Sequence, residues 1–425
     1  VLLYEIEQKF QGVKITDIKE TIRGELQQNK QLHSLPKHAE IAITAGSRGI
    51  ENIVQILRET ILYLKEKNYR PFIVPAMGSH GGANAAGQVE VLHHLGIMEE
   101  SMGVPIRSSM EAVKLGITPE GLPVYMDKNA YQADGIIVIN RIKAHTAFRG
   151  KVESGLSKMV TIGLGKQKGA SFVHSQGADE MERNIMAISK YAINNSSICM
   201  GLAIIENGYD QTSVIKGVAA HNWHILEEEL LKKSKELMPS LPLSELDILV
   251  IEEIGKNYSG TGLDPNIIGR MRIDSVPEPT EINIKRILAL DLSEQSHGNA
   301  QGIGLADFTT EKLIHKIDRK PTYMNALTST FLKRVMFPMY YETEQEALEA
   351  AFTSLGPEIN RSEVDFIQIP NTLHLSRLYI SESGLKKIDK QKINYEIIRK
   401  LELHFENGKI KARLLASNRK KSEIV

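Results

Sequence analysis

Three histidines stand in glycine-bearing stretches: His80 in PAMGSHGG, His145 in KAHTAFRG, and His174 at the end of GLGKQKGASFVH. A neutral imidazole can take a proton, give one or hold a metal near neutral pH, so each is a candidate base, acid or ligand. Lys158, in ESGLSKM, lies between the last two beside Leu156, Met159 and Val160. That setting admits two readings: a stem lying along the rim of a core with its head in water, or a desolvated amine open to covalent attachment. Arg48 in AGSRG is either an anion clamp, its fork matched to a carboxylate, or half of a surface ion pair. GLGKQKGA, with Gly163, Gly165, Lys166 and Lys168, reads as an anion cradle of backbone N–H groups and ammonium charges. It lacks the GxxxxGK[ST] spacing of a P-loop, and GSHGGA does not sit in the frame of a dinucleotide fingerprint. Farther along, GKNYSGTGLDPNIIGR is a second glycine-rich loop, with Lys256 and Arg270 as its cations.

These groups can meet only if their loops leave one edge of a sheet, and the hydrophobic pattern supplies such a sheet. EIAITA reads as a strand that empties into the Arg48 turn. Apolar residues at 50, 53, 54, 57, 61 and 64 then predict a helix over Ile50–Lys67. Tyr69–Pro75 is the next strand and leads to His80, and Gln88–Leu95 is helical. The repeat of strand, helix, strand, helix implies a parallel sheet. GIIVIN (Gly135–Asn140) and Ile198–Gly208 read as buried strands, and Ala178–Asn194 and Trp223–Leu237 as helices. MPSLPLSELD marks a boundary between an N-terminal α/β domain, 1–243, and a C-terminal one, 244–425. In the latter, Ile248–Gly255, Arg286–Ser293 and Val364–Thr372 read as strands, and Thr309–Ile317 and Glu342–Leu355 as helices. The basic tail LASNRKKSEIV is expected to fray or lie on the surface. The fold class is therefore α/β, two domains with mainly parallel sheets, the active site expected in the cleft between them.

Composition bounds the partners. Lys plus Arg and Asp plus Glu are both 52 in 425 residues, so no net charge draws the chain to nucleic acid or a membrane surface. No window reaches transmembrane length. The lone cysteine, Cys199, fits a reducing cytoplasm and excludes a multi-cysteine metal site made by this chain alone.

Taken together, AGSR, PAMGSHGG, KAHTAFRGKVESGLSKM, GLGKQKGASFVH, GKNYSGTGLD and HGNAQGIGLADF resemble the nickel-dependent lactate racemase family, in order and in spacing. Arg48 and His80 stand 32 residues apart, and Lys158 and His174 stand 16 apart. The resemblance implies a cofactor, the nickel-pincer nucleotide (pyridinium-3-thioamide-5-thiocarboxylate mononucleotide), tethered at Lys158 through a thioamide, with His174 completing the nickel coordination. It implies that His80 and His145 face each other across the substrate and that Arg48 holds or polarises it. One histidine takes the hydroxyl proton while hydride passes to the cofactor, and return of hydride to the other face inverts the carbon. The implied partners are a small-molecule hydroxy acid and the proteins that build the cofactor, and an oligomer is compatible. Lactate-specific members carry an acidic residue three positions before the arginine, where this chain has Ala45. A larger 2-hydroxy acid or sugar acid is therefore expected at least as much as lactate, with Arg149, Lys151 or Glu153 as further polar contacts and Lys256 or Arg270 on its carboxylate. A protein that binds an anion or metal without turnover is the rival reading.

Overall fold

The computed structural model describes residues 1–274 and 276–415; the basic tail, from residue 416 on, lies outside the described residues. The chain divides into two compact units, Gly12–Met238, and Val1–Gln11 with Pro239–Val425. The opening strand β1 (Leu2–Lys9), expected in the N-terminal domain, thus belongs to the other unit.

In the Gly12–Met238 unit the strands are β2 (Glu40–Ala45), β3 (Arg70–Pro75), the antiparallel pair β4 (Ala112–Ile117) and β5 (Pro123–Asp127), β6 (Gly135–Arg141), β7 (Ile198–Glu206) and β8 (Thr212–Ala219). Five of them form a sheet in the order β3-β2-β6-β7-β8, parallel except for β8, which returns antiparallel to β7. GIIVI is apolar without alternation because both faces of the sheet are covered. Ile136 and Val138 enter one hydrophobic cluster with Phe72, Leu156 and Trp223, while Ile137 and Ile139 enter another with Ile56, Leu57 and Ile61.

Helices α1 (Ile18–Gln27), α2 (Ile53–Glu66) and α3 (Ala85–His94) serve the first part of this unit. Asp17 and Asn84 cap α1 and α3 by accepting from Glu20 N and Gly87 N, at 2.9 and 2.8 Å. The largest departure from the sequence reading lies between Lys158 and His174. The expected glycine-rich loop is a helical turn at Leu156–Lys158, a π-helical turn at Met159–Gly163, and helix α4 (Lys166–Ser175). π-turns are rare insertions that recur at functional sites. Helices α5 (Met181–Asn194) and α6 (Trp223–Leu237) follow.

The second unit holds β9 (Glu245–Ile251), β10 (Asn283–Ala289), β11 (Phe308–Thr310), β12 (Met339–Tyr341), β13 (Phe366–Ile369), β14 (Arg377–Ser381) and β15 (Asn394–Glu402). With β1 they form one sheet in the order β12-β11-β10-β9-β13-β14-β1-β15, parallel from β12 to β13 and antiparallel beyond. Helices α7 (Arg319–Ser329) and α8 (Glu344–Thr353) complete the elements used below. Glu5 of β1 is buried between Arg377 and Arg399 of its two neighbouring strands, which ties the start of the chain to residues nearly four hundred positions away.

Candidate functional site

Strand order decides which loops meet. From β2 the chain moves to β3 on one side, then crosses back to β6 on the other, so the order reverses at β2. Ligands of open α/β sheets bind outside the carboxyl ends of the strands at such a reversal. The loops leaving there are Gly46–Arg48 from β2, Met77–His80 from β3 and Ile142–His145 from β6. Arg48, His80 and His145 therefore belong to one sheet edge, with the Arg48 turn between the two histidine loops.

His145 is held from several sides. Its backbone N–H donates to Glu153 Oε2 at 2.7 Å, its ring packs on Phe148 with centroids 4.3 Å apart, and Ala147 N–H donates to its Nδ1 at 3.1 Å. Its Nε2 lies 2.7 Å from Lys158 Nζ. An imidazole that accepts at Nδ1 carries its proton on Nε2, so the Nε2–H donates to an uncharged Lys158 amine. If Lys158 is charged it must donate, and the ring must move its proton to Nδ1 and give up the Ala147 bond. Burial first, then the charge of Arg48, lowers the Lys158 ammonium to about 8, which brings the uncharged pairing within reach near neutral pH and makes it the main form above that value.

Lys158 sits on a short turn clamped from α6. The Glu227 carboxylate, buried, accepts from Ser157 N–H at 3.0 Å and from the Ser157 hydroxyl, while Trp223 Nε1–H donates to Ser157 Oγ at 3.2 Å. Nothing in the sequence ties Glu227 to Ser157; only the fold brings them together. Glu153 is likewise spent within the protein. Its buried carboxylate accepts from His145 N–H, Gly150 N–H and the Lys235 amine, at 2.7, 3.3 and 2.7 Å. It shapes the His145 loop instead of offering the expected substrate contact.

His174, one helix beyond Lys158, is half-buried. Burial and then the charge of Lys158 hold its ring down at about 4, so it is a neutral imidazole at physiological pH. The Arg48 guanidinium is lowered by protein crowding and then by Arg141, yet the residue is exposed and stays charged. Arg48 acts on Lys158 and Lys158 on His174, each in the direction of repulsion. Cationic groups that push one another down in this way make a place for an anion. His80 Nδ1 meets the Ser47 hydroxyl, and Gln88 Nε2 donates to the carbonyls of Gly78 and His80 at 2.9 and 3.3 Å, fixing the loop.

The expected anion cradle is not one. Lys166 is fully buried, donates to Pro75 O at 2.9 Å and Gln88 Oε1 at 2.6 Å, and lies 3.4 Å from the buried Asp127 carboxylate. Its φ of +53° adds backbone strain that these contacts hold in place. Gly163 and Gly165 are glycine for lack of room: a Cβ would stand 2.6 Å from Ala76 O and 2.3 Å from Thr161 O. Lys168 is exposed on α4. These residues fasten the His80 loop to α3 and α4, and Lys166 has no ammonium face left for a phosphate.

In the second unit, Arg270 is also spent. Its guanidinium donates to Leu305 O at 3.0 Å and Ile284 O at 2.7 Å and pairs with Asp307 at 2.8 Å, which removes it as a carboxylate binder. Lys256 bonds Asn325 of α7 through its amine, and its N–H donates to Ser296 Oγ at 2.9 Å. Beside it, Tyr258 donates to Glu253, and its ring meets His374 edge-on at 6.0 Å. Tyr258, Glu253 and His374 were not singled out from sequence. The downward shift of His374 comes from burial, and Asn371 Nδ2 lies 3.1 Å from its Nδ1.

Among the described residues no group of three His, Cys, Asp or Glu side chains is arranged to hold a metal ion, and no helix is long and apolar enough to cross a membrane. A metal held by the described residues alone would lack ligands. One that arrives with donors of its own and needs a single neutral imidazole fits His174.

Fold and site thus define an α/β protein with a cation-rich site at the carboxyl edge of a parallel sheet. Residues 9–184 match the family model described as the lactate racemase N-terminal domain, so this part of the chain is similar to that domain. The fold of the chain is similar to that of the lactate racemase apoprotein from Thermoanaerobacterium thermosaccharolyticum, at TM-score 0.54 and 13% identity over 88% of this chain and 99% of that one. A protein from Thermotoga maritima aligns at TM-score 0.49 and 14% identity over 66% of this chain and 72% of that one. No curated protein matches by sequence.

Proposed function

We propose that the protein is a racemase or epimerase that inverts the hydroxyl-bearing carbon beside a carboxylate, in a 2-hydroxy acid or sugar acid. The observation that carries this reading is the Lys158 amine, lowered to about 8 and 2.7 Å from His145 Nε2, on a domain of the lactate racemase type. An amine lowered to about 8 has a far larger uncharged fraction near neutral pH than a free lysine, and that fraction can attack an activated carboxyl group, expel its leaving group and become a tether. In this reading Lys158 attaches the nickel-pincer nucleotide and His174 supplies one donor to its nickel. When bound, the cofactor supplies a hydride acceptor.

The chain's own residues do the rest. Once Lys158 is acylated, its nitrogen carries an N–H and no lone pair able to accept from His145. The ring then carries its proton on Nδ1, giving up the Ala147 bond, and the Nε2 lone pair takes the substrate hydroxyl proton. His80, on the other side of the Arg48 turn, serves the opposite enantiomer. Arg48 binds the carboxylate, and Lys256, in place of Arg270, is the second unit's candidate for the same role. The lone, buried Cys199 suits a cytoplasmic protein, and the cofactor's biosynthetic proteins are its expected partners.

The test is to make the protein together with those biosynthetic proteins. Intact mass should show an adduct that Lys158→Ala removes. Chiral chromatography should show scrambling of a hydroxy acid at catalytic enzyme levels. Binding of such acids with no adduct and no scrambling would leave a non-catalytic anion binder.

A further inference from the structure

The second unit exposes an apolar face that its sheet and site do not use. Tyr323, Met324 and Leu327 of α7, Met336 in the turn beyond it, and Met339 and Tyr340 of β12 are each 44% to 65% exposed. Leu332 and Phe337 in the same turn are exposed to 52% and 43%. At roughly 100 Å² for each half-exposed large side chain, the patch presents about 800 Å². That exceeds the few hundred Å² an ordinary monomer leaves exposed, and it equals one side of a standard-size protein interface, about 800 Å². The opposite face of α7 is accounted for: Thr322 and Ala326 are buried, and Asn325 meets Lys256.

The patch runs onto an open sheet edge. Among the described residues β12 ends the eight-stranded sheet and pairs only with β11. Met339 N–H donates to Asp307 O at 3.1 Å, so by strand alternation the N–H and C=O of Tyr340 point away from the sheet. The other edge, β15, also shows apolar residues, Ile397 and Ile398, but sets them among Glu396, Arg399, Lys400 and Glu402, with Glu396 and Arg399 in ion pairs. Charges of that kind protect an edge from pairing. Met339-Tyr340-Tyr341 carries none.

We infer that this face binds a second copy of the chain. The two β12 strands run antiparallel about a two-fold axis near Tyr340, and the α7 side chains of each copy cover those of the other. A largely apolar, self-matching patch, whose Lys333 is already paired with Asp274, suits an isologous dimer at an open strand edge, because the same residues serve both sides. A partner recognised by charge would need a charged face here.

Sedimentation of the wild-type protein at low micromolar concentration should give a species of twice the 47.5 kDa chain mass. The double variant Leu327→Glu, Met339→Glu should sediment as a single chain with an unchanged circular dichroism spectrum. Ile225→Lys, on an exposed position of the other unit, should remain dimeric. A wild-type monomer, or a double variant that dimerises like wild type, overturns the inference. Should the double variant aggregate, Tyr340→Cys decides. Cys199 is buried, so mild oxidation should link two copies through position 340, and a failure to link them counts against the interface.

Discussion

The two glycine-rich regions, the one around Lys158 and the one around Lys256 and Arg270, look alike in sequence and differ in what the fold does with their cations. In the second unit most are neutralised close by: Arg270 and Arg272 by Asp307, Lys285 by Asp247, and Lys312 and Lys316 by Asp291. In the Gly12–Met238 unit, Arg48, Lys158 and His174 are lowered by desolvation and by neighbouring positive charge. A cation beside a carboxylate is structure, and a cation beside other cations is a site. Lys166 shows that the distinction runs inside one motif. It is eight residues from Lys158 and belongs to the first kind.

The comparison can be broken most sharply at His145. Asn at that position keeps the adduct on Lys158 and lowers kcat by about 10² to 10⁴, the range for a lost general base. Loss of the adduct instead would make His145 part of the tethering step alone. Next is the pair Lys166→Met and Lys168→Met. Removing Lys166 leaves Asp127 buried and uncompensated, at a cost of about 3–5 kcal/mol in denaturant unfolding, whereas Lys168→Met stays within about 0.5 kcal/mol. Equal effects would restore the anion cradle.

A smaller contrast separates Lys256 from Arg270. Lys256→Ala should raise KM by about tenfold, the scale of one charge-assisted hydrogen bond. Arg270→Ala should lower the unfolding midpoint and leave KM unchanged. The smallest effect is in pH. Amine-selective labelling of Lys158 in the protein without cofactor should rise through about 8, against roughly 10.4 for a free lysine. Arg48→Met removes a repelling charge, so the midpoint should move upward. A midpoint that stays put would take Arg48 out of this electrostatic pairing.

Much of this molecule was legible in its residues. Buried parallel strands announce themselves as apolar runs without alternation, and GIIVIN and EIAITA are such runs. The chemistry-bearing groups were legible too, because Gly, His and Arg directly after such a strand can lie only at its carboxyl end. What the sequence hid has a common physical cause. Whether Lys166 meets a phosphate or Pro75 O, whether Glu153 meets substrate or the His145 N–H, and whether β1 joins the nearer or the farther unit all depend on contacts between distant positions. A lysine's type and spacing state its charge. Only the tertiary structure decides whether that charge is matched, buried or left facing another cation, because desolvation and Coulomb energies depend on distances in space and not on separation along the chain.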